Sequence, residues 1–194
     1  MRDYAAYADA ASGVDGSWKS PGFNQDGTHP VVKASWEDAK KFVAWLTEKE
    51  RKEGKLAANQ SYRLPTDAEW SYAVGIGDRE SGGTPKDKDE KLKGVYPCGA
   101  GNYNSSLNTD DFDHTSPVGS FAASASGLFD LGGNVWEWCE DFYDGSGGKR
   151  VLRGASWSTY DPTSLLSSYR ISLGPGNRYD AFGFRCVLVM DSRR

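Results

Sequence analysis

Between Ala39 and Leu46 the apolar residues Ala39, Phe42, Val43, Trp45 and Leu46 recur three and four positions apart, while Lys40, Lys41, Glu48 and Lys49 fall mainly on the other side. That is the period of an α-helix burying one stripe. Ser35 stands just ahead with an acid three residues on, the arrangement in which a hydroxyl and a carboxylate satisfy each other's free amides. The same signature returns at Thr66-Asp67-Ala68-Glu69, followed by Trp70, Tyr72 and Ala73, and predicts a second, shorter helix that stops near Gly75.

Outside those helices the apolar runs are short. Val31-Val32-Lys33-Ala34, Pro117-Val118-Gly119, Gly133 to Trp138, Val151-Leu152-Arg153 and Gly183 to Val189 are β-prone and separated by Gly, Asn, Asp and Ser clusters. The stretch from Asp78 to Lys93 is charged, contains Gly82-Gly83-Thr84-Pro85 and has almost no apolar anchor, so an exposed loop is expected there. No internal repeat is present, which argues against a solenoid or propeller. The expectation is one α+β domain over residues 1–194, two main helices on short strands, rich in loops.

Composition sharpens this. The chain has 194 residues, enough for one buried core, and its 23 glycines, seven tryptophans and ten tyrosines imply a large aromatic core with many loops. A net charge of −4 from well-mixed charges leaves no basic stripe for phosphates, so no nucleic-acid partner is expected. No run approaches the roughly 20 apolar residues of a membrane helix. Met1-Arg2-Asp3-Tyr4 does not read as a secretory signal, so a chain with no membrane insertion is expected and its compartment stays open. Cys98, Cys139 and Cys186 are far apart with no metal-ligand spacing and are expected to be buried free thiols.

Four blocks then appear in a fixed order: His29-Pro30-Val31-Val32 with Ser35-Trp36; Tyr62-Arg63-Leu64-Pro65-Thr66 with Glu69-Trp70; Gly133-Asn134-Val135-Trp136-Glu137-Trp138; and Arg153-Gly154-Ala155-Ser156-Trp157 through Gly183-Phe184-Arg185. In them the chain resembles the formylglycine-generating (sulfatase-modifying) family, a variant of the C-type lectin fold. Without the family, the same tryptophans are large core anchors and the neighbouring glycines allow close backbone approach. The resemblance implies further strands upstream of where Met1 stands, so a trimmed or minimal version of the domain is expected.

The family's enzymes oxidise a substrate cysteine with two cysteines placed shortly after the Gly154-Ala155-Ser156-Trp157 motif. Counting forward puts those positions at Thr159 and Ser164; counting back from Gly183 puts them near Trp157 and Pro162, and Ser158 to Arg170 contains no cysteine. A hydroxyl cannot replace a thiolate as a soft ligand for Cu(I) or in sulfur redox exchange. No copper and no catalytic residue is therefore expected. The usual disulfide partner of Cys186 falls near Val74, so no bridge is expected, and His29 and His114 are too few for the three-histidine iron site of the related sulfoxide synthases.

The resemblance also implies structural Ca²⁺, which takes six to eight hard oxygens. One cluster would use the side chains of Asn102 and Asp110 with the carbonyls of Tyr103 and Phe112; a second would use Asp130 and Glu137 with the carbonyls of Gly133 and Val135. The same residues also make sense as turn formers and hydrogen-bonded acids.

Members of this fold without the cysteines include binding proteins, among them the variable proteins of diversity-generating retroelements. By that likeness Arg153, Gly154, Ser156, Trp157, Tyr169, Arg170, Pro175, Gly183, Phe184 and Arg185 would be scaffold. Ser158, Thr159, Tyr160 and Asp161, then Leu173, Asn177, Tyr179, Asp180 and Phe182, would be the surface for a protein or cell-surface ligand, mixing aromatic anchors with small polar groups. Two alternatives stand beside it: a scaffold domain of a larger regulatory protein, and an enzyme of other chemistry built on His114, Asp113 and Asp111, a compact titratable group that includes a histidine.

Overall fold

A computed structural model describes residues 1–80, 82–91 and 101–190. Both capping boxes form. Helix α2, Trp36–Lys52, starts where Ser35 Oγ accepts the Asp38 amide at 3.1 Å and Asp38 Oδ2 accepts the Ser35 amide at 3.0 Å. Helix α3, Asp67–Ala73, is opened in the same way by Thr66 and Glu69. It ends at Val74, after which Gly75 takes a φ of +87°, a turn of hand that costs glycine nothing.

A helix that the periodicity does not announce, α1 over Arg2–Ala10, precedes both. Its Tyr4 and Tyr7 are buried against Phe42 of α2, with ring centroids 5.6 and 5.7 Å away. The exposed loop expected from Asp78 is also corrected: Pro85–Lys91 form a helix, α4, and Glu80 ahead of it is 1% exposed. The end of that expected loop, and Cys98, lie outside the described residues.

Among the described residues, six strands complete the fold. β1 (Gln60–Arg63) and β6 (Val187–Met190) form an antiparallel pair in the register Gln60 to Met190. β2 (Trp136–Phe142), β3 (Arg150–Arg153), β4 (Ile171–Leu173) and β5 (Phe182–Gly183) form a second sheet in the order β4-β3-β2-β5, antiparallel except for β2 with β5. The first four residues of β2 are buried on both faces, so Trp136 and Trp138 anchor the core from the centre of the sheet. The architecture is the α+β, C-type-lectin-like one expected.

Two β-prone runs are not strands. Val31, Val32 and Ala34 are buried, but Lys33 between them has a φ of +54° and the segment pairs with no strand among the described residues. Its apolar character reflects burial. Pro117-Val118-Gly119 is a turn whose Gly119 amide donates to Asp130 Oδ2 at 2.7 Å. The run from Gly183 to Val189 breaks at Phe184-Arg185-Cys186, between β5 and β6.

Beneath the sheet lies a network no spacing revealed. Asp67 accepts from Arg153 and from Arg170 Nε (2.7 Å), while Glu80 accepts from Arg170 Nη2 (2.6 Å) and Ser71. Both guanidiniums are fully buried, and Arg153 also stacks on Trp70 at 4.4 Å. Asp67 and Glu80 offset the charge of the two buried guanidiniums, as such burial requires, and the partly exposed Lys88 Nζ lies 3.6 Å from Asp67.

Candidate recognition surface and metal clusters

The chain between Ser156 and Tyr160 is a tight turn built by its own hydroxyls. Thr159 Oγ1 accepts the Ser156 amide at 3.1 Å, and the Thr159 amide returns to the Ser156 carbonyl at 3.0 Å. Two outside bonds hold that turn: Asn104 N to the Thr159 carbonyl at 3.2 Å and Trp157 N to the Asn134 carbonyl at 3.0 Å. Trp157 Nε1 in turn donates to the carbonyl of Asp180 at 3.2 Å, tying the first stretch of candidate residues to the second.

These contacts divide the nine candidates. Tyr160 is 66% exposed, Tyr179 is 48% exposed, and Asp161 is exposed as well; Ser158, Asn177 and Asp180 are half-buried. The other three are corrected. Thr159 is buried in its turn, Phe182 is buried in β5 with its ring 5.9 Å from Trp138, and Leu173 lies in β4 packed against the core. Alternate positions along the chain point to opposite sides, and the sequence gives no sign of which side is wet. Asp161 accepts from the Ser164 amide and hydroxyl at 2.9 and 3.0 Å, so the loop supports its own acid.

Each candidate cluster contains a buried side-chain oxygen with no hydrogen-bond partner among the described residues. Asn102 is fully buried; its Nδ2 donates to the His114 carbonyl at 2.7 Å, and its Oδ1 has no hydrogen-bond partner. Asp110 receives the amides of Tyr103 (3.0 Å) and Phe112 (2.9 Å), which ties three residues of the first cluster to one another. In the second cluster Asp130 sits at a φ of +54°, and its buried Oδ1 is likewise unpartnered. Burial raises the Asp130 pKa. Glu137 is differently placed: Arg185 grips it through Nε and Nη2, and Trp70 Nε1 donates to it at 2.9 Å. A bridge between Asn102 and Gly133 joins the clusters, and a Cβ on Gly133 would lie 2.2 Å from the Asn102 carbonyl oxygen. Glycine is required there.

No thiol stands near the recognition turn among the described residues. Cys139 is buried in β2 and its pKa is pushed well up by burial; the Cys186 thiol is pushed by burial to about 12. Neither is a thiolate near neutrality. The alternative group separates in part: Asp111 and Asp113 are exposed, whereas the His114 ring is stacked 4.4 Å from Phe23.

Residues 3–190 match the model of the sulfatase-modifying factor enzyme 1-like domain. The chain belongs to this family. Among relatives of the sulfatase-modifying family, the formylglycine-generating enzyme of Streptomyces coelicolor is 34% identical over 88% of this chain and 57% of its own length. The inactive C-alpha-formylglycine-generating enzyme 2 of Bos taurus is also 34% identical, over 88% of this chain and 55% of its own. The chain thus spans little more than half of either relative. Among solved structures, Treponema denticola variable protein 1 superposes with a TM-score of 0.57 at 23% identity, covering 87% of this chain and 73% of that one, a likeness of fold. Relatives named as active and as inactive enzymes are equally similar, so the distinction rests on the site's own residues.

Proposed function

We propose that this chain is a non-catalytic binding module of the sulfatase-modifying family, recognising a protein or cell-surface ligand through the exposed part of residues 158–182. The observation that carries the proposal is at Thr159. Counting forward from the Gly154-Ala155-Ser156-Trp157 motif, one of the positions expected to carry a thiol is Thr159, a residue 9% exposed whose hydroxyl is spent on closing a turn; counting back from Gly183 gives Trp157 and Pro162, which carry no thiol either. On either side of that turn, Tyr160 and Tyr179 stand in solvent on a braced backbone, large rigid anchors of the sort that dominate recognition surfaces. The oxygens of Asn102, Asp110 and Asp130 would hold calcium, which supplies a fixed positive charge that locks these loops together. Both orphaned oxygens support that role.

The finer reading is a variable protein whose surface is rewritten while its scaffold stays constant. Amplicon sequencing of the native gene across a population grown under mutagenic conditions tests it. Substitutions are expected at codons 158, 160, 161, 177, 179 and 180, with Thr159, Phe182 and the Arg153-Gly154 scaffold constant. Substitutions scattered evenly over the gene, or none in a deeply sampled population, would rule diversification out and leave a fixed binding module.

A further inference from the structure

Trp157 stands between two sets of acids. On one side its indole lies 5.4 Å from Phe23 and 4.6 Å from His114. Those two rings line a groove of about 710 Å³ that also carries Phe112, Asn24, Asp111 and Asp113. Trp157 Nε1 also donates to the backbone carbonyl of Asp180, next in the chain to the exposed Tyr179. Asp111 and Asp113 are exposed, Asp180 is half-buried, and none of the three carboxylates is in an ion pair or side-chain hydrogen bond with the described residues.

The neighbouring cations do not compensate. Arg178 is committed to Asp38 at 2.8 and 3.0 Å, and Lys33 Nζ turns to the Ser20 carbonyl at 2.7 Å. His29 lines the same groove, but burial lowers its pKa, so it is neutral near pH 7. The face therefore combines unspent negative charge with aromatic rings on both sides of Trp157. Its complement is a cation with a flat, weakly hydrated head. Guanidinium meets that description better than ammonium, because it stacks on aromatic faces and binds a carboxylate through two parallel bonds.

We propose that the groove beside Trp157 and the Tyr160–Tyr179 surface together take a basic, arginine-bearing segment of a partner protein. This rests on the binding role proposed above and names the chemistry of its partner. Arginine would insert between the Phe23 and His114 wall and Asp111 or Asp113, while the rest of the segment crosses Trp157 toward Asp180. Electrostatic steering would speed the encounter and make it sensitive to salt.

The test pans a random peptide display library on the whole chain, and in parallel on Tyr160→Ala/Tyr179→Ala and Asp111→Asn/Asp113→Asn/Asp180→Asn variants. A fluorescent octa-arginine peptide, with octa-lysine and Gly-Ser peptides beside it, is titrated against each. The inference expects arginine-rich peptides to be enriched, octa-arginine to bind tighter than octa-lysine, and the Asp→Asn variant to weaken it about tenfold. A control with Asp9→Asn and Asp78→Asn, exposed acids elsewhere, should leave binding unchanged. Enriched peptides that need Tyr160 and Tyr179 but carry no excess of arginine would overturn this inference and keep the binding role. Equal weakening by the control would also overturn it, as bulk charge. No peptide depending on either tyrosine would overturn the binding role itself.

Discussion

Arg170 and Asp67 stand 103 residues apart in the chain, yet Arg170 donates to both oxygens of Asp67, through Nε at 2.7 Å and Nη2 at 3.1 Å. This pair fixes the base of the segment proposed for recognition. Arg170 leads directly into β4, and Arg153, bound to the same carboxylate, also holds the Ser167 carbonyl at 2.8 Å. The loop from Ser158 to Leu166 therefore starts from a braced turn and ends on a buried clamp, so its exposed side chains can change without moving its ends.

Removing one member should be expensive. Asp67→Asn leaves two buried guanidiniums facing a single acid, and a loss of about 3–5 kcal/mol is expected. Urea denaturation would measure it. Glu69→Gln, which breaks a pair with Arg63 that is partly in solvent, should cost about 1 kcal/mol or less.

Acid should weaken the same features. Burial alone would raise the Asp67 pKa, but the charges of Arg153 and Arg170 and their hydrogen bonds hold it below the usual carboxylate range. Glu69 is lowered to about 2, chiefly by its bond to Arg63. A depressed folded-state pKa contributes stability that is complete above the unfolded pKa and disappears as pH falls through the folded one. These two acids should therefore leave the melting temperature unchanged above about pH 5 and lower it between about pH 4 and 2. His29 adds in the same direction from about pH 6.5 downward, since burial disfavours its charged form.

Calcium should raise the melting temperature in proportion to the logarithm of its concentration, and chelator should reverse the rise. Because burial raises the Asp130 pKa, protons compete with the metal there, and the shift should be smaller at pH 5 than at pH 7.5. Asp130→Ala and Asp110→Ala should each reduce it. An identical melting curve in chelator and in millimolar calcium would remove calcium from the account.

Tyr160→Ala with Tyr179→Ala should leave stability within about 0.5–1 kcal/mol of the parent, as exposed substitutions do, while abolishing ligand capture. Phe182→Ala should behave in the opposite sense and cost about 3–5 kcal/mol, because it opens a cavity beside Trp138. A Phe182 variant with native stability would show that residue to be surface after all.

The parts of the fold legible in the sequence were those written in local chemistry. Ser35 with Asp38 and Thr66 with Glu69 declared both main helices because capping is settled within four residues. Helix α1 was hidden by its length, nine residues with only Tyr4 and Tyr7 to bury. Helix α4 and buried Glu80 were hidden because charge reads as solvent exposure until a partner is known, and the partners Arg153 and Arg170 lie in distant parts of the chain. For the same reason Thr159, Leu173 and Phe182 could not be told from their exposed neighbours. The buried oxygens of Asn102 and Asp130, which lack a hydrogen-bond partner among the described residues, belong to the two clusters that the family resemblance implies, and neither is visible in the spacing of the residues themselves.

The central claim, recognition without oxidative catalysis, is tested most directly by incubating the chain with a cysteine-containing sulfatase-type peptide, copper and oxygen, and weighing the peptide by mass spectrometry. The account predicts an unchanged cysteine after any number of hours. Conversion of that cysteine to formylglycine would contradict it.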